Sequence, residues 1–225
     1  MDTWALIPVK SLQDSKRRLA RLLPAEQRAA LIRGLLLHEL NVLSQLPVID
    51  KVLVISSDPT VWRIARQNGV LVEEELESCG LNVAVSRGVA VAAENGASAA
   101  LILPVDLPFI TASDVDLMVS TGLDKISRNQ EHAISQGNNG FHSNDERGCV
   151  MAICSDREGD GTNAIFINPG REFTFHFGPR SFESHIQEAQ ERGMVVRVVS
   201  APGLSFDLDN ENDWFTYQTS IVCNC

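Results

Sequence analysis

The sequence has none of the short signatures that mark the commonest nucleotide and hydrolase sites. It contains no G-x-x-x-x-G-K-[ST] phosphate loop and no G-x-G-x-x-G after its first strand-like run. G-x-S-x-G and H-E-x-x-H are missing as well. P-loop NTPases, dinucleotide dehydrogenases, serine hydrolases and zinc peptidases therefore lose ground. Positive charge is short: 19 Lys and Arg face 29 Asp and Glu, for a net charge of −10. That balance argues against a nucleic-acid or anionic-membrane partner. No apolar run approaches the length of a membrane span, and no cleavable apolar segment follows Met1. The five cysteines (79, 149, 154, 223 and 225) have no zinc-type spacing and leave one odd, which points to a reducing cytoplasm. Cys223 and Cys225 read as part of a frayed, inert tail spanning 216–225 before they read as a redox or metal pair.

What is present is an alternation of short apolar runs with helical stripes. Trp4–Val9 predicts a buried strand, and Ala25–Gln45 carries leucines at 31, 35, 36, 40 and 43, the spacing of one helix face. Val52–Ile55 is a second strand, with Ser56–Asp58 supplying capping chemistry for a helix near Thr60–Asn68. Val70–Val72, Ala99–Val105, Gly148–Cys154, Ala164–Ile167 and Val195–Val199 read as further strands, and Leu81–Asn95 and Ser181–Arg192 as helices. This order predicts one α/β domain with a mostly parallel sheet and helices on both faces. A polar excursion at 121–147 breaks the rhythm and is a candidate lid or contact surface, with a homodimer left open.

Several clusters bear on chemistry. Asp156-Arg-Glu-Gly-Asp-Gly-Thr-Asn163 and Phe177-Gly-Pro-Arg-Ser181 combine glycines, hydroxyls and arginines, as a concave cradle for phosphate or carboxylate requires; alone they read equally as surface turns. Asp106 follows a buried strand, where open α/β sheets place ligands, and Asp209 follows another. Two such carboxylates, completed by substrate phosphates and water, are how proteins hold Mg²⁺, although each is also a plausible turn or helix cap. Lys10, Lys16, Arg17 and Arg18 reverse the local sign of an acidic protein, with Lys10 and Lys16 the better functional candidates. Asn82 either caps the helix it opens or reads a base edge. Among the histidines, His176 alone is placed near a ligand.

Taken together and in order, Ile7-Pro-Val-Lys10, Ser15-Lys-Arg-Arg-Leu19, Gly80-Leu-Asn82, Pro104-Val-Asp-Leu-Pro108, Gly159-Asp-Gly-Thr-Asn163, Phe177-Gly-Pro-Arg-Ser-Phe182 and Asp207-Leu-Asp209 resemble the phospholactate/phosphoenolpyruvate guanylyltransferases of deazaflavin coenzyme F-420 biosynthesis. The likeness runs from about Trp4 to Trp214. It implies a Rossmann-like three-layer α/β/α nucleotidyltransferase fold related to glycosyltransferase type A. It further implies GTP as donor and a three-carbon phospho-acid as acceptor: phosphoenolpyruvate, 2-phospho-L-lactate or 3-phospho-D-glycerate. By position it assigns metal binding (Mg²⁺) to Asp106 and Asp209 with Asp207 as helper, and catalysis to Asp106, Lys16 and Asp209. Nucleotide contacts fall to Pro8, Lys10, Lys16, Asn82 and Pro104, and acceptor contacts to Thr162, Asn163, Gly178 and Ser181. Another small-molecule nucleotidyltransferase, acting on a molybdopterin or sugar phosphate, and a non-catalytic phospho-ligand sensor of the same fold are the competing readings. The chain departs from the family at 121–147, in the acidic run Glu73–Cys79 and at Asn210–Asp213.

Overall fold

The first strand, β1 (Thr3–Pro8), is buried along its whole length and alternates cleanly between two cores. Ala5 and Ile7 pack on one face with Ile32, Leu36 and Leu40, while Trp4 and Leu6 pack on the other with Val85, Val89 and Ala92. The apolar run from Trp4 to Pro8 is what a strand covered on both faces requires. A computed structural model describes residues 1–75, 80–124 and 149–223 of the chain. The first half is regular: β1, α1 (Ala25–Ser44), β2 (Lys51–Ser56), α2 (Pro59–Gln67), β3 (Leu71–Glu74), α3 (Leu81–Glu94), β4 (Ala99–Ile102) and α4 (Ala112–Leu123). The second half runs β5 (Val150–Ser155), β6 (Thr162–Ile167), α5 (Ser181–Glu191), β7 (Val195–Val198), the single turn α6 (Pro202–Ser205) and α7 (Glu211–Cys223).

The strands form one seven-stranded sheet in the order β3-β2-β1-β4-β6-β5-β7. All pairs are parallel except those of β6, which runs against both β4 and β5. This is the three-layer, mostly parallel α/β architecture that the alternation of elements predicts. The reversal of β6 is new, and it matters for the site. Because Ile102 pairs with Ile165 in antiparallel register, the amino end of β6 arrives beside the carboxyl end of β4.

Two boundaries differ from the sequence reading. The expected frayed tail from residue 216 is instead helical through residue 223, and residues 224–225 lie outside the described part. Trp214 and Tyr217 explain this: they dock on a small third core of Leu19, Leu23, Phe206 and Leu208, with Tyr217 also packed against Phe109. Residues 121–123 of the polar excursion belong to the end of α4, and 125–148 lie outside the described residues. Asp58 caps α2 as expected, accepting from the Thr60 amide at 2.8 Å. It also accepts from the Leu12 amide at 2.9 Å, so the cap ties down the loop after β1.

Two features carry stability predictions. Gly203 in α6 lies so close to the Phe109 carbonyl and the Asp114 carboxylate that an added Cβ would drive into both. Gly203→Ala is expected to cost about 1–3 kcal/mol, the usual range for overpacking, measured as a lower denaturant midpoint. Glu39, on the buried face of α1, has no hydrogen-bond partner among the described residues for either carboxyl oxygen. Burial, with the negative charge of Asp106 adding to it, raises the Glu39 pKa well above the usual carboxylate range. A carboxyl raised in the folded state stabilises fully only below its unfolded pKa, and that contribution is lost as pH climbs toward the folded value. Glu39→Met should therefore raise the unfolding midpoint at pH 7–8 and change it little near pH 4; equal midpoints at both pH values would contradict the burial argument.

Candidate active site

The crevice lies at the carboxyl ends of the two central strands. β1 ends at Pro8, and Leu6 pairs with Ile102, so Pro8 and Pro104 come level with each other just past the pairing. Proline has no N–H to continue a ladder. β1 and β4 therefore part at this point, and the chain leaving each strand carries one side of the site: Lys10 and Lys16 after β1, Asp106 after β4.

Lys16 is the centre of the arrangement. Its Nζ donates to Asp106 Oδ2 at 2.6 Å and to Asp209 Oδ1 at 2.7 Å, and its side chain is only 7% exposed. Burial works to lower the Lys16 pKa, but the charges and hydrogen bonds of Asp106 and Asp209 outweigh it, and the net shift is upward. For Asp209, burial pushes upward while Lys16, Arg18 and Lys10 pull harder, so its carboxyl stays below the ordinary range. Arg18 reaches Asp209 at 3.5 Å, whereas exposed Arg17 pairs with Asp14 on the loop surface.

The loop that presents Lys16 is held from several sides. Buried Arg28 on α1 donates to the carbonyls of Ser15 (3.3 Å) and Leu23 (2.9 Å). Leu19 and Leu23 pin the loop into the third core beside Phe206 and Leu208, and the alternate residues Asp207 and Asp209 thereby turn toward the crevice. Lys16 itself adopts φ 53°, left-handed backbone that an L-residue accepts at a cost of about 1–3 kcal/mol. Among the described residues only Arg180 shares this conformation without being glycine, and it too lies at the site.

Neither aspartate serves as the cap that the plainer reading allowed. Asp106 spends its side chain on Lys16, while its carbonyl accepts from the Leu208 amide at 3.0 Å. α7 is capped by Asn210, whose Oδ1 accepts from Asn212 and Asp213, and Asp213 accepts from the amides of Asp209 and Asn210. Asp207 is partly buried, and burial, followed by the like charges of Asp106 and Asp209, pushes its pKa up to about 6. The donor chemistry suits a divalent cation only in part: two hard carboxylates converge on one ammonium. Among the described residues no three His, Cys, Asp or Glu side chains are close enough together to hold an ion. An ion held by Asp106 and Asp209 would draw its remaining ligands from substrate and water.

Across the crevice, the two glycine turns prove to be one structure. Asp156 to Gly161 is the hairpin joining β5 to β6, and the Asp156 carboxylate accepts from the amides of Asp160 (3.0 Å) and Gly161 (2.7 Å). Asp160 then holds the second turn, its carbonyl taking the Phe182 amide at 3.0 Å and its carboxylate the Arg180 amide at 3.1 Å. Gly178 has φ 141°, in the region open to glycine. Buried Ser181 begins α5 three residues later.

Three expected contacts come out differently. Asn163 points away from Thr162: side chains alternate along β6, so Thr162 faces α5 while Asn163 donates to the Leu204 carbonyl at 2.9 Å. Asn82 is not the cap of α3, a place taken by Gly80; its amide clamps the Phe177 backbone instead, accepting from N–H at 2.7 Å and donating to C=O at 3.2 Å. Of the two arginines in the turns, Arg157 pairs with Asp213 and lies 4.2 Å over the Phe206 ring, so it braces the hairpin and does not face an anion. His176 pairs with Glu188 at 3.3 Å through its ring. Sequence reasoning missed Arg28 and His185, and it names Asp156 only as part of the glycine run. Arg28 stands on the buried stripe of α1, where a charged residue is itself a signal, and His185 lies one helical turn after Ser181.

The family model described as "Guanylyl transferase CofC like" matches residues 3–140 and 139–217. A phosphoenolpyruvate guanylyltransferase of Rubrobacter xylanophilus is 36% identical over 216 residues, covering 95% of this chain and 92% of that protein. A 2-phospho-L-lactate guanylyltransferase of Methanothermobacter thermautotrophicus is 30% identical, covering 95% and 82%, and a 3-phospho-D-glycerate guanylyltransferase of Phenylobacterium zucineum 31%, covering 93% and 86%. In structure, a nucleotidyl transferase from Methanothermobacter superposes with a TM-score of 0.62 at 11% identity over 100% of this chain and 99% of that one, a likeness of fold. With the family model covering nearly the whole chain, the protein belongs to the CofC-like guanylyl transferases.

Proposed function

We propose that the protein transfers GMP from GTP to a three-carbon phospho-carboxylic acid and releases pyrophosphate, as a step of deazaflavin coenzyme F-420 biosynthesis. The observation that carries this reading is the convergence of Lys16, Asp106 and Asp209 at the carboxyl edge of the sheet, where the antiparallel β6 also brings the joined glycine turns. The activities for which the relatives are named narrow the acceptor to phosphoenolpyruvate, 2-phospho-L-lactate or 3-phospho-D-glycerate.

In this reading a phosphate oxygen of the acceptor attacks the α-phosphorus of GTP in line. The new P–O bond forms as the bond to the β-phosphate oxygen breaks, and pyrophosphate leaves. The acceptor phosphate is ionised at neutral pH, so no strong general base is required. The protein's work is alignment and charge compensation. Lys16, exposed Lys10 and Arg18 place positive charge where the triphosphate and the departing pyrophosphate lie. Thr162, Ser181 and the Gly178 turn hold the acceptor. Asp106 and Asp209, with Asp207 beside them, would hold a divalent cation that neutralises the two approaching anions. Lys16 occupies the same place between the carboxylates, so loading the cation would shift the ammonium toward phosphate.

Asp106→Asn is expected to lower kcat/KM by at least about 10²–10³, the scale for losing a charge-stabilising group, with the unfolding midpoint changed far less. Pyrophosphate release from GTP and each of the three acceptors measures it, and chelation should abolish it in the parent protein. Turnover close to that of the parent would overturn the assignment, and saturable binding without pyrophosphate would favour a sensor. Thr162→Val and Ser181→Ala should raise KM for the acceptor several-fold and leave KM for GTP unchanged, a split that an initial-rate matrix in both substrates resolves. The opposite split would exchange the two halves of the site.

A further inference from the structure

His185 is fully buried on α5, walled by the rings of Phe173, Phe175 and Phe177. Both ring nitrogens are engaged. Nε2 lies 2.8 Å from the backbone amide of His176, and Nδ1 lies 3.0 Å from Thr162 Oγ1. The first contact settles the second. A backbone N–H only donates, so Nε2 must present its lone pair, and the neutral ring then carries its hydrogen on Nδ1. Nδ1–H donates to Thr162 Oγ1, and the threonine hydrogen is directed elsewhere. The opposite tautomer would draw the threonine hydrogen into the ring and leave only lone pairs facing an incoming anion. Burial, aided by the nearby His176, lowers the His185 pKa to about 4, against the pull of Glu188 and the Ser181 carbonyl, so the ring is neutral under working conditions.

The donor that imposes this tautomer is itself fixed. Asn82 holds both backbone groups of Phe177, the residue next to His176. A continuous chain therefore runs from α3, on the nucleotide side, through the 176–177 backbone and the His185 ring to Thr162 on the acceptor side.

We propose that His185 is a positioning residue that fixes the Thr162 hydroxyl as a hydrogen-bond donor toward the acceptor's phosphate or carboxylate. This rests on the reading of Thr162 as an acceptor contact. His185 touches no substrate. Its role is to set the polarity of a hydroxyl that would otherwise serve equally well as donor or acceptor.

Two measurements test it. In the full-length protein labelled with ¹⁵N-histidine and assigned through its backbone, long-range ¹H–¹⁵N correlation should show His185 as the Nδ1–H tautomer at pH 7. An Nε2–H or doubly protonated ring would overturn the proposal, and this measurement needs no variant to fold. The second is a double-mutant cycle of His185→Phe and Thr162→Val, read as pyrophosphate release with phosphoenolpyruvate as acceptor. His185→Phe should raise acceptor KM several-fold, no more than Thr162→Val does, with GTP KM unchanged. It should add nothing in the Thr162→Val background. Effects that multiply would make His185 a packing residue and end the proposal. If Thr162→Val alone leaves acceptor KM unchanged, the acceptor reading of Thr162 fails first, whatever tautomer His185 shows.

Discussion

A lysine ammonium taken almost out of water must find negative charge, and in this chain it finds two carboxylates from distant parts of the sequence. Lys16 lies 90 residues from Asp106 and 193 from Asp209, yet bonds both within 2.7 Å. Two carboxylates answer one ammonium, so the loss of either aspartate still leaves Lys16 paired. The Lys16 loop, the segment after β4 and the approach to α7 are thereby bound to one point. The apolar support sits directly behind: Leu19, Leu23, Phe206 and Leu208 form the small core that lets the charged residues between them face the crevice.

The opposite wall obeys a different constraint. It contains few charges aimed inward and many backbone amides whose directions are set by carboxylates. Asp156 shapes the hairpin, Asp160 carries that shape into the second turn, and Asn82 fixes the 177 backbone from across the sheet. An acidic chain can thus present amides and hydroxyls to an anion because its own carboxylates are already committed elsewhere. Within the described residues, the left-handed backbone at Lys16 and Arg180 marks one strained point on each wall. Such strain persists only where surrounding contacts over-determine it.

Much of this was legible beforehand where local chemistry is decisive. The apolar runs of β1 and β4, covered on both faces, and the Asp58 cap follow from residue type and period alone. The helix at 216–223 was not, because its polar sequence gives a weak stripe and its stability comes from docking Trp214 and Tyr217 on residues far away in the chain. Asn163 stands beside Thr162 in the Gly159–Asn163 motif, so the resemblance groups the two. A strand sends neighbours to opposite faces, and only its pairing partners tell which face is which. The role of Asp156 was hidden for a similar reason, since a carboxylate that shapes a turn looks, in sequence, like one that solvates it.

The sequence by itself determined the order of strands and helices, the parallel character of most of the sheet, and the motifs that name the family. These depend on periodicity, capping and residue type, which act over a few neighbouring positions. The tertiary structure alone decided that β6 runs backwards, that the glycine turns are one assembly, and that Lys16 stands between Asp106 and Asp209. Each is a pairing across tens to hundreds of residues, selected by burial and by the need to satisfy charge and backbone groups once the layers close.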